Sequence, residues 1–270
     1  MQAHIAFIGG GNMASALIGG LLRQGLPADH LHIVEPFAPT RQQLLDTHGV
    51  KALETASASL DQADLVVWAV KPQVFKEAAE QSASFTRRAL HLSVAAGIRT
   101  DSMVAWLQTE RVVRAMPNTP ALIGLGQTGL YARPGVSAED RRLIEQVMSS
   151  TGQYLWVEQE SLLDAVTAIS GSGPAYVFYF IEAMCRSAER MGLSPEQARQ
   201  LAIGTFSGAA ELAHRSTDTP AVLRERVTSK GGTTYAALTS MQASSVAEHF
   251  EAALEAARAR AAELGEAFGR

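Results

Sequence analysis

Residues 5–14 read Ile5-Ala6-Phe7-Ile8-Gly9-Gly10-Gly11-Asn12-Met13-Ala14, and this stretch decides the fold. Four apolar residues in a row predict a short strand buried on both faces, and the stretch from Asn12 to Arg23 reads as an amphipathic helix. The glycines between them fit G-x-G-x-x-A, in the strand-turn-helix context that marks a dinucleotide site. Gly9 allows the tight turn, Gly11 lets the backbone approach a pyrophosphate, and the small Ala14 lets the helix pack closely on the strand. The phosphates would lie over the helix N-terminus, where unpaired N–H groups and the helix dipole favour negative charge.

Moving outward, His32-Ile33-Val34 predicts a second strand and residues 40–47 a second helix. A clear strand runs from Asp64 to Val70 and ends at Lys71-Pro72, and residues 90–94 and 111–116 are two more. Short continuous apolar runs alternating with helices indicate a parallel sheet covered on both faces, the doubly wound α/β pattern. Two further strands, 126–132 and 152–157, flank a helix at 138–149. From about residue 160 the strand pattern stops and Ala, Leu, Glu and Arg recur at helical spacing. Ser194-Pro195-Glu196 reads as an N-cap with proline in the first turn, and residues 246–267 as one long Ala-rich helix. The expected organisation is a Rossmann-like dinucleotide-binding domain, residues 1–158, followed by an all-α domain for substrate binding and dimerisation, residues 159–270. The helical part is small for an independent core, so its apolar faces are expected to pack on a second copy of the chain.

The end of the second strand bears on cofactor choice. Glu35 lies 24 residues after Gly11, near the place of a carboxylate that bonds the ribose diol of NAD. Thr40 and Arg41 open the next helix and offer a seat for the 2′-phosphate of NADP, so NADH and NADPH both stay open. Ala69-Val70-Lys71-Pro72 and Val94-Ala95-Ala96-Gly97 end their strands at the carboxyl edge of the sheet, where small side chains leave room for a flat nicotinamide ring.

Composition narrows the class. The chain has 270 residues, a net charge of −4 and no basic stripe, which disfavours nucleic acid and anionic membrane as partners. Cys185 is a single thiol in an apolar helix-like stretch and is expected to be buried and inert; no Cys/His cluster suggests a metal. The first residues lack the basic and long apolar regions of a secretory signal, so a cytoplasmic location is expected.

These segments resemble the pyrroline-5-carboxylate reductase family. The resemblance is carried by residues 7–14, by Ala69-Val70-Lys71-Pro72, by Arg114-Ala115-Met116-Pro117-Asn118-Thr119-Pro120, by Ser170-Gly171-Ser172-Gly173-Pro174-Ala175-Tyr176, and by Ser229-Lys230-Gly231-Gly232-Thr233-Thr234. It implies reduction of 1-pyrroline-5-carboxylate to L-proline by NADPH or NADH, in a dimer that several members assemble into a ring of ten chains. It further implies that Ser229, Gly231, Gly232, Thr233 and Thr234 hold the substrate, with the Thr234 hydroxyl bonding the ring nitrogen, and that Glu160 matches a substrate-contacting position. Gly9, Gly10, Gly11, Asn12, Met13, Ala14, Glu35, Ala69, Val70, Lys71, Pro72, Ala95 and Ala96 are then the expected cofactor contacts. Two departures stand out. Lys230 replaces the commoner proline of the substrate loop, and residue 56 is Ala where a polar residue near the cofactor phosphates is frequent. A hydroxyacid dehydrogenase of similar layout would place a catalytic lysine on a helix of the second half, but the only lysine beyond residue 76 is Lys230, on a loop.

Overall fold

The computed structural model describes residues 2–268. Its contacts group into two compact units: residues up to Ser172 together with the chain from Ala257 onward, and Gly173–Ala256.

The first unit is built on one sheet. Its strands are β1 (Ile5–Ile8), β2 (Leu31–Val34), β3 (Ala52–Leu53), β4 (Leu65–Trp68), β5 (Leu90–Ser93), β6 (Val112–Met116), β7 (Gly126–Ala132) and β8 (Gly152–Trp156). They lie in the order β3-β2-β1-β4-β5-β6-β7-β8. Every neighbouring pair is parallel except β6–β7. β1, β4 and β5 are buried throughout because helices cover both faces; β1 and β4 are apolar along their whole length, whereas β5 alternates leucine with His91 and Ser93. Alternate residues feed different cores: Ile5, Phe7, Leu65 and Val67 one, Ala6, Ile8, Val66 and Trp68 the other. The helices are α1 (Asn12–Arg23), α2 (Ala38–His48), α3 (Pro72–Thr86), α4 (Thr100–Leu107), α5 (Ala138–Ser149) and α6 (Leu162–Val166), followed by a π-helical turn at Thr167–Gly171. α2 starts two residues earlier than expected because Pro39 fits its first turn. The two-residue edge strand β3, half-buried and exposed, carries no apolar run that would announce it.

The compact boundary falls after Ser172, later than the expected break at 158/159. The reason is packing: Val166 and Leu163 close over Gly129 of β7, and Met116 closes over Gly171 so tightly that a Cβ there would lie 2.4 Å from its Cε.

One buried side chain in this unit is a pH lever. Trp68 Nε1 donates to His91 Nδ1 at 3.1 Å between the central strands. Burial pushes the His91 pKa from 6.5 down to about 4; the Thr86 backbone opposes this and the positive charge of Arg111 reinforces it. The unfolded chain therefore binds a proton here before the folded one does. The stabilisation is complete above pH 6.5 and is lost as the pH falls towards 4, about 3 kcal/mol in all. Urea unfolding at pH 7 and pH 4.5 should show that loss, and His91→Gln, which keeps an acceptor for the indole, should flatten it.

The second unit is helical: α7 (Gly173–Arg190), α8 (Pro195–Arg215), α9 (Pro220–Arg226), α10 (Thr233–Ala243) and the first part of α11 (Val246–Phe268). Ser194 caps α8, as its sequence predicts, and Gln197 completes a reciprocal capping box. Phe250 of α11 meets Tyr176 and Phe180 of α7 edge-on. Ala198 and Ala202 are the buried residues of this unit, while Phe178 is 65% exposed, Leu212 69% and Met191 82%. Cys185, expected to be buried, is half-buried in the single chain.

Candidate active site

The carboxyl ends of β1, β2 and β4 open into a cleft of about 560 Å³ lined by Gly9, Gly11, Glu35, Ala69, Val70 and Lys71 among others. The glycines serve different ends. Gly9 has φ +98°, and a Cβ on it would lie 2.6 Å from the Ala69 carbonyl oxygen, so the fold itself requires glycine there. A Cβ on Gly10 would meet Leu44 Cδ1 at 2.7 Å. Gly11 has ordinary extended geometry, φ −67° and ψ −172°, and a Cβ on it would meet nothing within 4 Å. No internal contact requires glycine at 11, so the small residue there suits a group approaching from outside. Gly11 is also the N-cap of α1 and supplies no side-chain cap, which leaves first-turn N–H groups facing outward from exposed Asn12 and half-buried Met13. Ala14 is fully buried against the sheet. These features fit a dinucleotide pyrophosphate. Gly9→Ala is therefore expected to destabilise the fold by about 1–3 kcal/mol. Gly11→Ala should leave the melting temperature unchanged while weakening dinucleotide binding, as read by thermal melting and titration calorimetry.

At the end of β2 both oxygens of Glu35 are engaged: Oε2 accepts from Gly10 N–H at 2.7 Å and Oε1 from Phe37 N–H at 2.8 Å. Arg41 Nη1 donates to the carbonyls of Glu35 (2.9 Å) and Pro36 (2.6 Å), pinning the loop. Pro72 opens α3 directly after exposed Lys71. Ala95 is buried, with its N–H donating to Ser93 Oγ at 3.2 Å, and Ala96 is exposed at the same sheet edge.

Further along that edge, Asn118 joins two of the quoted motifs. Its Nδ2 donates to the Ser170 carbonyl (3.1 Å) and hydroxyl (3.2 Å), and its Oδ1 accepts from Gln127 N–H at 2.9 Å. Glu160 makes a second long-range link. Its carboxylate accepts from the Thr100 N–H (2.8 Å) and hydroxyl (2.6 Å), so it caps α4 from 60 residues away. It also pairs at 3.1 Å with Arg114 of β6, whose side chain is 2% exposed; that of Glu160 is 16% exposed. The sequence reading assigned no roles to Thr100, Arg114 and Asn118. The latter two fall inside a motif marked only by the family resemblance, and nothing local distinguishes Thr100.

In the helical unit, Ser229 to Thr234 form the loop that starts α10. Gly231 has φ +74°, and Gly232 N–H donates to the Ser229 carbonyl at 3.0 Å, closing a tight turn. A Cβ on Gly232 would meet Ser229 Oγ at 2.5 Å. Gly232 is the N-cap of α10 and, like Gly11, leaves the first turn without a side-chain cap. Thr233 is exposed, Thr234 half-buried, and Lys230 exposed. The two uncapped, glycine-led helix starts thus lie in different units, one after β1 and one at α10.

Comparison with known proteins matches these features. A family profile described as pyrroline-5-carboxylate reductase dimerisation matches residues 160–264, and one described as NADP oxidoreductase, coenzyme F420-dependent, matches residues 4–97. A pyrroline-5-carboxylate reductase of Pseudomonas aeruginosa is 46% identical over 269 residues, covering 99% of this chain and 98% of that protein. The solved pyrroline-5-carboxylate reductase of Coxiella burnetii superposes with a TM-score of 0.91 at 36% identity, covering 98% of this chain and 99% of that one. The Plasmodium falciparum pyrroline carboxylate reductase, solved with NADP bound, gives 0.87 at 26%, covering 97% and 98%. Likeness at this level along nearly the whole length, with both glycine-led helix starts in place, means that the chain belongs to the pyrroline-5-carboxylate reductase family.

Proposed function

We propose that the chain reduces the C=N bond of 1-pyrroline-5-carboxylate to L-proline with NADH or NADPH. The observation that carries this reading is the loop of residues 229–234: a glycine turn delivering an uncapped helix start, followed at once by a half-buried threonine. The cofactor, when bound, supplies the hydride. Gly11, Asn12 and Met13 would hold its pyrophosphate through the α1 N-terminus, and the turns at Ala69–Pro72 and Ala95–Ala96 would give room to its nicotinamide. The first-turn N–H groups of α10, with Ser229 beside them, would take the substrate carboxylate.

Thr234 is assigned to the ring nitrogen. Its hydroxyl orients the imine by a hydrogen bond rather than acting as a strong acid, since an aliphatic hydroxyl is a poor proton donor at neutral pH. A protonated cyclic imine is already a good hydride acceptor, so acceleration comes chiefly from fixing its carbon against the hydride donor. Thr234→Ala should lower kcat/KM for the imine by roughly ten- to a hundredfold while the dinucleotide Kd stays unchanged. Unaltered turnover in that variant would remove Thr234 from the site.

The assembly we assign is a dimer, supported by the exposed apolar faces of α7 and α8; the ring of ten chains that the family resemblance implies would be built from such dimers. The expected compartment is the cytoplasm. Mixing purified protein with 1-pyrroline-5-carboxylate and reduced cofactor, following loss of the reduced-nicotinamide absorbance and appearance of proline, tests the reaction. No loss with either cofactor would overturn it.

A further inference from the structure

The charged side chains lining the dinucleotide cleft are Glu35, Glu54, Glu77 and Lys71, three carboxylates against one ammonium. That is an unfavourable wall for a ligand carrying an extra phosphate. Arg41, the cation in place to receive a 2′-phosphate, is not among the lining residues. Its Nη1 is spent on the carbonyls of Glu35 and Pro36, and its Nη2 lies 3.4 Å from the Glu54 carboxylate. Reaching a phosphate would require giving up those partners. Thr40 and Thr55, which also line the cleft, are neutral donors, and Ala56 offers none.

Glu35 occupies the decisive position. It follows β2, beside the crossover between β1 and β4 where the sheet order reverses, and there the adenosine ribose of a dinucleotide lies in such folds. Two backbone N–H groups, from Gly10 and Phe37, fix its two oxygens at 2.7 and 2.8 Å. A carboxylate has about four acceptor positions, so two remain for the hydroxyls of a ribose diol. The same carboxylate takes the Phe37 N–H next to the start of α2, so an anion is already seated where a 2′-phosphate would go. A Cβ on Gly10 would lie 3.2 Å from Glu35 Cγ, so glycine at that position leaves room for the Glu35 stem.

We infer that this chain selects NADH over NADPH and that Glu35 is the residue that makes the selection. The inference rests on the reading above that the first unit binds a nicotinamide dinucleotide, and its test needs no imine. NADH and NADPH are titrated separately into the purified full-length protein, with binding read by calorimetry. The expected result is a Kd for NADH at least about tenfold below that for NADPH. Glu35→Ser should weaken NADH and strengthen NADPH, bringing the ratio to one or reversing it. Should the serine variant melt early, Glu35→Gln keeps the size of the side chain, removes the charge and should still narrow the ratio. Equal or tighter binding of NADPH by the unaltered protein would overturn the inference, as would an equal loss of both cofactors in both variants. Clear NADH selection without imine turnover would sustain it and overturn the proposed reaction. Binding of neither cofactor would overturn both.

Discussion

Phe178→Asp is expected to turn an active assembly into inactive single chains of 28.8 kDa. The argument starts in the sequence of α7, where residues 175–181 are all apolar or aromatic. At 100° per residue such a run covers every side of a helix, and a helix apolar all round is a buried one. In the single chain α7 has no buried residue, and Phe178 and Tyr179 are 65% and 64% exposed. Covering each large side chain contributes about 1.5–3 kcal/mol. A symmetric interface would receive the aspartate twice, each time as a charge without a partner, at several kcal/mol per site. Association should therefore weaken by about a thousandfold or more. Sedimentation equilibrium at micromolar concentration reads the mass, and circular dichroism reads whether the helical unit survives. Phe178→Leu should stay assembled. An assembled, active Phe178→Asp protein would show that this face meets no partner.

Glu160→Ala should produce the largest loss of stability in the sheet unit. It strips the partner from a buried guanidinium, Arg114, and the cap from Thr100 at the start of α4. Breaking a buried pair on one side costs about 3–5 kcal/mol, and losing a cap about 1 kcal/mol more. Removing both charges, in Glu160→Ala with Arg114→Met, should restore part of that loss, because no ion is then left stranded. Urea midpoints of the unaltered protein, Glu160→Ala, Arg114→Met and the double variant decide the matter. A substrate-contacting Glu160 would behave otherwise: Glu160→Gln would raise the KM for the imine and leave the urea midpoint in place.

The parts of the fold that the sequence announces are those whose cause is local. β1 and β4 are apolar runs buried on both faces, and α1 and α5 end where their periodicity ends. The N-cap at Ser194, with Pro195 after it, is written in adjacent residues. The glycine turn after β1 is legible for the same reason, although only the structure separates Gly9, which the backbone needs, from Gly11, which it does not. What stayed hidden depends on residues far apart in the chain. The Asn118–Ser170 clasp spans 52 residues and the Glu160–Thr100 cap 60, and together with the packing on Gly129 and Gly171 they carry the compact boundary on to Ser172. The return of the chain to the first unit from Ala257 is equally non-local: Arg99 Nη2 lies 3.5 Å from the Ala262 carbonyl, across 163 residues. The two carbonyl partners of Arg41 are backbone atoms, which no side-chain pattern reveals, so its sequence alone leaves it open to a phosphate.

Hydride transfer by this chain runs, on the proposed reading, from a reduced nicotinamide to the imine carbon of a five-membered ring. It is tested most directly by the mass of the proline formed when the purified protein is given 1-pyrroline-5-carboxylate and cofactor deuterated at C4 of the nicotinamide, on one face and, in a separate run, on the other. Proline is expected to carry the deuterium at C5 from one of the two labelled forms and not from the other. Proline without label from both deuterated forms, or no proline while cofactor still binds, would contradict it.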